Sequence, residues 1–202
     1  MLLANAKADV QQLLDQTTIT NTQFDDTNFL PDALNRARRA FAAILPESEI
    51  PKLIKIASLT IVAGVGTYPT DFLKKMKYPY VTIGLVGGTA YPAKRIAPED
   101  NWRRTLLESS SLTLSDATST KYYIEASNGI LLFPATSTLC YYQYIMTPTD
   151  LGAVDNIELP LYVDDLVIWH VFEQCMSTQR GDQELAKYLL YKQKSNIAEV
   201  VK

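Results

Sequence analysis

The stretch that decides the fold is YYIEASNGILLFP (Tyr122–Pro134), followed by LCYYQYIMTP (Leu139–Pro148). Two apolar, aromatic runs flank Asn128 and Gly129, a dipeptide that tolerates the positive φ angles of a tight type I′ hairpin turn. A further run from Leu139 to Met146 carries Tyr141, Tyr142 and Tyr144. Strands of this composition bury side chains against another layer, and nothing in them is reactive. The stretch predicts a packed β region.

Outward from it, a period of two holds from about Lys55 to Thr147. Ile83 and Leu85 alternate with Thr82 and Gly84, and Gly87-Gly88 offers another two-residue turn before a strand from Thr89 to Ile96. Asn101 to Glu108 reads as a short helix with acids at its positive end, and Ser109 to Thr120 as an exposed loop or edge hairpin rich in Ser and Thr.

On both sides of this region the period becomes helical. Leu3, Ala6, Val10, Leu13 and Leu14 predict a first amphipathic helix. A second begins near Pro31, whose missing N–H costs nothing in a first turn, and stops at Pro46. Its apolar face is Leu34, Ala37, Phe41, Ile44 and Leu45, with Asn35, Arg36 and Arg39 facing away. Pro160 opens a third helix, apolar nearly all round from Val163 to Met176, as suits the middle of a bundle. Gly181 ends it, and Asp182 to Lys202 predicts a last helix. The fold expected is α+β: a helical bundle from residues 1–54 and 155–202, with a β lobe, residues 55–154, inserted into it.

At 202 residues the chain can bury roughly 70% of the surface it exposes when unfolded, so it needs no metal, cofactor or disulfide to fold. Net charge is −3 with acids and bases mixed along the chain, and the absence of a basic stripe argues against a tight grip on nucleic acid. No signal sequence or run of roughly 20 apolar residues is present, so no membrane role is expected. The composition fits a protein made in a reducing cytoplasm. Cys140 and Cys175 read as buried apolar thiols.

The candidates for chemistry are few. His170, the only histidine, follows Trp169 on the most apolar helix and reads as a packed core residue. Its spacing of five from Cys175 is poor for a helical pair. Asp25-Asp26, Glu99-Asp100 and Asp164-Asp165 sit near helix starts, where acids stabilise the dipole, and adjacent carboxylates point apart. Gly64-Val65-Gly66 lacks the third glycine of a nucleotide loop and reads as a bend leaving a strand. No catalytic or metal-ligating residue is assigned, and the chain is not expected to be an enzyme.

Two basic clusters, Lys74-Lys75-Met76-Lys77 and Arg36/Arg38/Arg39, read either as solvated faces or as contacts for an acidic partner. Tyrosines tell more, because a large ring with a polar tip suits an interface. Alternation sets Tyr122 and Tyr123 on opposite faces, and Tyr141 and Tyr142 likewise. One face is core and the other points outward; Tyr123 and Tyr142 are taken as the outward, interface-forming pair, with Tyr122 and Tyr141 as the control. In the last helix Ile197, Val200 and Val201 continue an apolar stripe to the final turn. They either dock on a partner or complete the bundle against Leu3 and Val10.

Three blocks resemble the head-to-tail adaptor proteins of tailed phages, the family that includes tail tubular protein A. They are Gly66 to Leu73, the hairpin from Tyr122 to Pro134 with Tyr144 to Pro148, and Leu159 to Tyr162 leading into the apolar helix. The blocks lie in the family's order, and the chain departs from the pattern in the Ser/Thr-rich segment before Lys121. The resemblance implies a helical bundle with an antiparallel β-sandwich-like insertion and a dodecameric ring in the virion. That ring would join the portal protein to the tail tube or nozzle protein, with DNA passing through it untouched by tight contacts. The alternative from a different class is a stand-alone module that binds a peptide or glycan through exposed tyrosines.

Overall fold

The computed structural model describes residues 1–14, 28–85, 87–97, 100, 121–154 and 156–179. The chain divides into two compact units, Met1–Leu53 with Thr147–Lys202, and Ile54–Met146.

The first unit contains three described helices: α1 (Leu3–Leu13), α2 (Phe29–Ile44) and α3 (Leu161–Gln179). Each forms for a legible reason. In α1, Ala6 and Val10 are four apart and fully buried, and Leu14 closes the stripe. In α2, Leu30, Ala33, Leu34, Ala37 and Phe41 make one buried face, with Asp32 in the positive first turn. In α3, Val163, Val167, Val171 and Cys175 make a fully buried row at a spacing of four. Leu166, Ile168 and Phe172 are also buried, and the exposed side chains among those described are Leu161, Asp165 and Gln174. The helices pack α2 on α3, with α1 against both. Trp169 is half-buried, edge-on to Phe172, and His170 is half-buried, edge-on to Phe41 and 2.9 Å from the Gln174 amide.

Residues 147–154 belong with the helices because α2 holds them. Arg38, buried, donates to the Thr149 carbonyl at 2.6 Å, Asn35 accepts from the Leu151 amide at 2.8 Å, and Arg39 pairs with Asp150. Glu158 closes the loop, accepting from the amide and hydroxyl of Thr149 at 2.7 and 2.6 Å. Burial pushes the Arg38 pKa down, against the opposing pull of Glu158, Asp164 and Asp150. Arg36 and Arg39 are exposed, as their expected outward orientation requires, whereas Asn35 is half-buried against the loop. Only Arg36 of that group is free of the loop, pairing with Asp32 one turn away.

The second unit is one sheet of nine strands: β1 (Ile54–Ser58), β2 (Thr60–Val62), β3 (Val65–Thr67), β4 (Phe72–Lys75), β5 (Val81–Gly84), β6 (Ala90–Arg95), β7 (Lys121–Glu125), β8 (Gly129–Phe133) and β9 (Leu139–Met146). Their order is β1-β9-β5-β6-β7-β8-β3-β2, with β4 also on β9. The ends of that path, β1 and β2, are consecutive strands separated by Leu59 alone, whose amide bonds the Cys140 carbonyl of β9 at 2.9 Å. The sheet therefore curls into a nearly closed, barrel-like layer around its own core.

This overturns the expected fold. The chain is a mixed α/β protein with a large curled sheet, not a helical bundle carrying an antiparallel β-sandwich. The sheet is mixed because β6 and β7 run parallel, Ala93 opposite Lys121 and Arg95 opposite Tyr123. A parallel pair needs a long crossover, supplied here by residues 96–120. Alternation within each strand carries no trace of that pairing.

Candidate interaction surfaces

The inner face of the sheet is filled by Leu59, Val81, Ile83, Tyr123, Ile130, Leu132, Cys140, Tyr142 and Tyr144. Tyr142 is 0% exposed and donates its hydroxyl to Glu125 at 2.7 Å, while Arg95 reaches the other Glu125 oxygen at 2.7 Å. Tyr68 stacks on Phe72 with centroids 4.0 Å apart, and Tyr144 donates to Asp71, which also takes a bond from Lys55, both at 2.8 Å. Burial pushes the hydroxyls of Tyr68 and Tyr123 up to about 12. Burial, and then the bonds to Glu125 and Asp71, raise Tyr142 and Tyr144 further. Asp71 is pulled below the usual carboxylate range because the bonds from Lys55 and Tyr144 outweigh its desolvation.

The orientation expected for the interface tyrosines is thus reversed. Tyr123 and Tyr142 point into the core and Tyr141, 40% exposed, points outward, while Tyr122, half-buried, packs against a second buried cluster of Ile96, Ile124 and Phe133. Tyr142 lies opposite Ala57 on β1 and Val81 on β5, both facing the core, which leaves Tyr141 outside between Ser58 and Thr82. One row along, Gln143 lies opposite Ile56 and exchanges bonds with the backbone of Tyr80. Across those two rows the outer face is uncharged, with exposed Tyr141 and Ile56 set among Ser58, Gln143 and a buried Thr82.

Beside it, the end of β4 presents Lys75 and the β4–β5 loop presents Lys77, Tyr78 and Tyr80. Tyr78 is 80% exposed, with the Lys77 ammonium 5.3 Å from its ring. The sequence carried that signal as a basic cluster running into Tyr-Pro-Tyr, but not its exposure. Among the described residues of the helical unit, the exposed large apolar side chains are Leu13, Ile44, Val154, Ile157 and Leu161. The remaining interface candidates, Ile197, Val200 and Val201, lie outside the described residues, as do the expected helices at residues 101–108 and 182–202 and the loop at 109–120.

The hairpin turn is also revised. Neither Asn128 nor Gly129 takes a positive φ; the turn closes through the Ala126 amide on the Gly129 carbonyl at 2.8 Å. Gly129 is needed because β3 crosses so close that a Cβ there would overlap the Gly66 carbonyl oxygen. The left-handed turn lies instead at Ala63 (φ 50) and Gly64 (φ 76), between β2 and β3, where the sequence reads only a bend.

Among the described residues no cluster of His, Cys, Asp and Glu is placed to hold a metal, and no helix is long and apolar enough to cross a membrane. Cys140 and Cys175 are free and buried, and burial pushes their thiols up to about 12 and about 11, away from the thiolate a nucleophile needs. What the described surface offers a partner is contact area: tyrosines, aliphatics and flanking charge. That is the equipment of a structural protein that acts through its surfaces.

The chain belongs to the SU10 adaptor protein family, whose model matches residues 1–199. It is accordingly a phage adaptor, a structural component of the virion that acts between head and tail components. The match is to this family and not to the tail tubular protein A type in particular. No curated protein matches the chain significantly.

Proposed function

We propose that the protein is a head-to-tail adaptor subunit that forms a ring between the portal protein and the tail tube or nozzle protein, with DNA passing through without tight binding. The observation that carries this is the family match across residues 1–199. Physical features support it. A ring subunit needs two complementary side faces, because heterologous contacts that close generate rings. The net charge of −3 and the lack of a basic stripe suit a channel that DNA must leave freely. The C-terminal stripe ending in Ile197, Val200 and Val201 is proposed as the portal-facing segment.

Co-purification with the portal protein, followed by negative-stain microscopy of the eluted particles, tests this reading. Ring-shaped particles capping the portal are expected. Monomers that ignore the portal and bind a peptide or glycan would refute it in favour of a stand-alone module.

A further inference from the structure

Between Thr149 and Glu158 the helical unit holds a hollow of about 360 Å³, walled by Thr149, Ala153, Val154, Asn156, Ile157 and Glu158. Its frame is fixed. Glu158 accepts from the amide and hydroxyl of Thr149, and the Asn156 amide donates to the Thr149 carbonyl at 3.1 Å. Lys52 donates to the Ile157 carbonyl at 3.1 Å, and the Leu3 amide holds the Gly152 carbonyl at 3.2 Å. A loop bound at this many points is ordered before a partner arrives, so a contact with it loses little conformational entropy. Yet Val154 is 80% and Ile157 58% exposed. Two large aliphatics held open beside one hollow are a contact surface rather than scattered exposure.

The polar part of the lining narrows the occupant. Both of its carboxylates are engaged, Glu158 by the bonds above and Asp150 by its ion pair with Arg39. The hollow therefore suits a neutral, largely apolar side chain rather than a basic one. Its volume is at the small end of the roughly 300–1,000 Å³ of ligand clefts, room for one ring rather than for a helix about 10 Å across. The chain carries one such side chain in a suitable setting. Tyr78, 80% exposed, is the most exposed aromatic among the described residues. It stands in the β4–β5 loop before Pro79, which limits the backbone freedom lost on docking. The other exposed tyrosines lie along the sheet, Tyr80 tied through its backbone to Gln143 and Tyr141 within β9.

We propose that this hollow receives Tyr78 from a second copy of this chain, with the ring between Val154 and Ile157 and the hydroxyl at the wet rim. Each copy carries one ring and one hollow, so the contact is head-to-tail and repeats from copy to copy. A buried tyrosine removes about 150–250 Å² from water, the kind of anchor around which an interface forms. The inference rests on the ring reading above and names surfaces that meet between neighbours.

Two sets of variants test it, each first checked for an unchanged thermal midpoint, as exposed substitutions should have. In the first, Tyr78→Ala and Ile157→Ala are made singly and together, and self-association is followed by sedimentation velocity, free and on the portal protein. Each single change should weaken association about tenfold or more, as loss of an interface anchor does. The double should lose little more than the worse single, because both changes remove one contact. Singles that assemble like the wild type, or losses that simply multiply in the double, overturn the proposal. In the second, Tyr78→Cys and Val154→Cys proteins are oxidised alone and mixed; the native thiols, being buried, do not compete. A disulfide-linked dimer is expected only from the mixture, whereas no dimer, or one formed as readily by either protein alone, overturns the proposal. Rings indifferent to every variant would remove this inference and leave the ring reading standing. A wild type that neither self-associates nor assembles on the portal would remove both.

Discussion

Tyr142→Phe removes one oxygen from the centre of the curled sheet and nothing else. That hydroxyl donates at 2.7 Å to Glu125, and both side chains are buried. The second Glu125 oxygen keeps its 2.7 Å contact with Arg95, whose side chain is about half exposed, so the carboxylate loses one donor and keeps the other. Hydrogen bonds to charged groups contribute about 1.5–3 kcal/mol, and the orphaned buried oxygen puts this one in that range. We expect a loss of about 2 kcal/mol, or a fall in the thermal midpoint of roughly 4–8 °C for a chain of this length. Urea unfolding followed by circular dichroism measures it, with Tyr141→Phe on the outer face of the same strand as the control, expected within about 0.5 kcal/mol of wild type. A cycle with Glu125→Gln should show the two changes to be non-additive, since they share one bond. A Tyr142→Phe protein as stable as the Tyr141→Phe control would refute the placement of Tyr142 in the core and return it to the surface.

Other outcomes follow from the same geometry. Tyr68 and Tyr123 bind their protons more tightly folded, with pKa values raised to about 12 against about 10 for an unfolded tyrosine. Their contribution to stability is complete below pH 10 and is lost as pH rises through about 12, so the tyrosinate absorbance of the buried rings should appear together with unfolding in an alkaline titration. Gly129→Ala forces a methyl group onto the Gly66 carbonyl and should cost at least about 2–3 kcal/mol, read from the urea midpoint. The same change at Gly87, where nothing lies within 4 Å, meets only its positive φ and should cost about 1 kcal/mol. Deleting residues 198–202 should leave a folded protein that no longer co-purifies with the portal; an unfolded product would assign Val200 and Val201 to the core.

The sequence by itself located the three described helices and the strands β5 to β9. Leu139–Met146 is a strand because alternating aromatics mark it, and α3 begins at Leu161 because Pro160 tolerates a first turn and cannot continue a strand. Local spacing likewise marked Lys74 to Tyr80 as basic and aromatic. These properties are written within a few residues of one another, where propensity and periodicity act. Pairing and facing are not local. A period of two says that Tyr141 and Tyr142 lie on opposite faces, but only the approach of Ala57 and Val81, some 85 and 61 positions away, decides which face is buried. The parallel β6–β7 pair, the curling that brings the two ends of the strand order together, and the burial of Arg38 beneath Thr149 have the same origin. Gly129 shows the limit most sharply: a glycine after asparagine signals a turn, yet this one is held by a backbone from β3 that no neighbouring residue announces. Such contacts join segments far apart in the chain, and side-chain alternation is symmetric between a sandwich and a curled sheet until those segments meet.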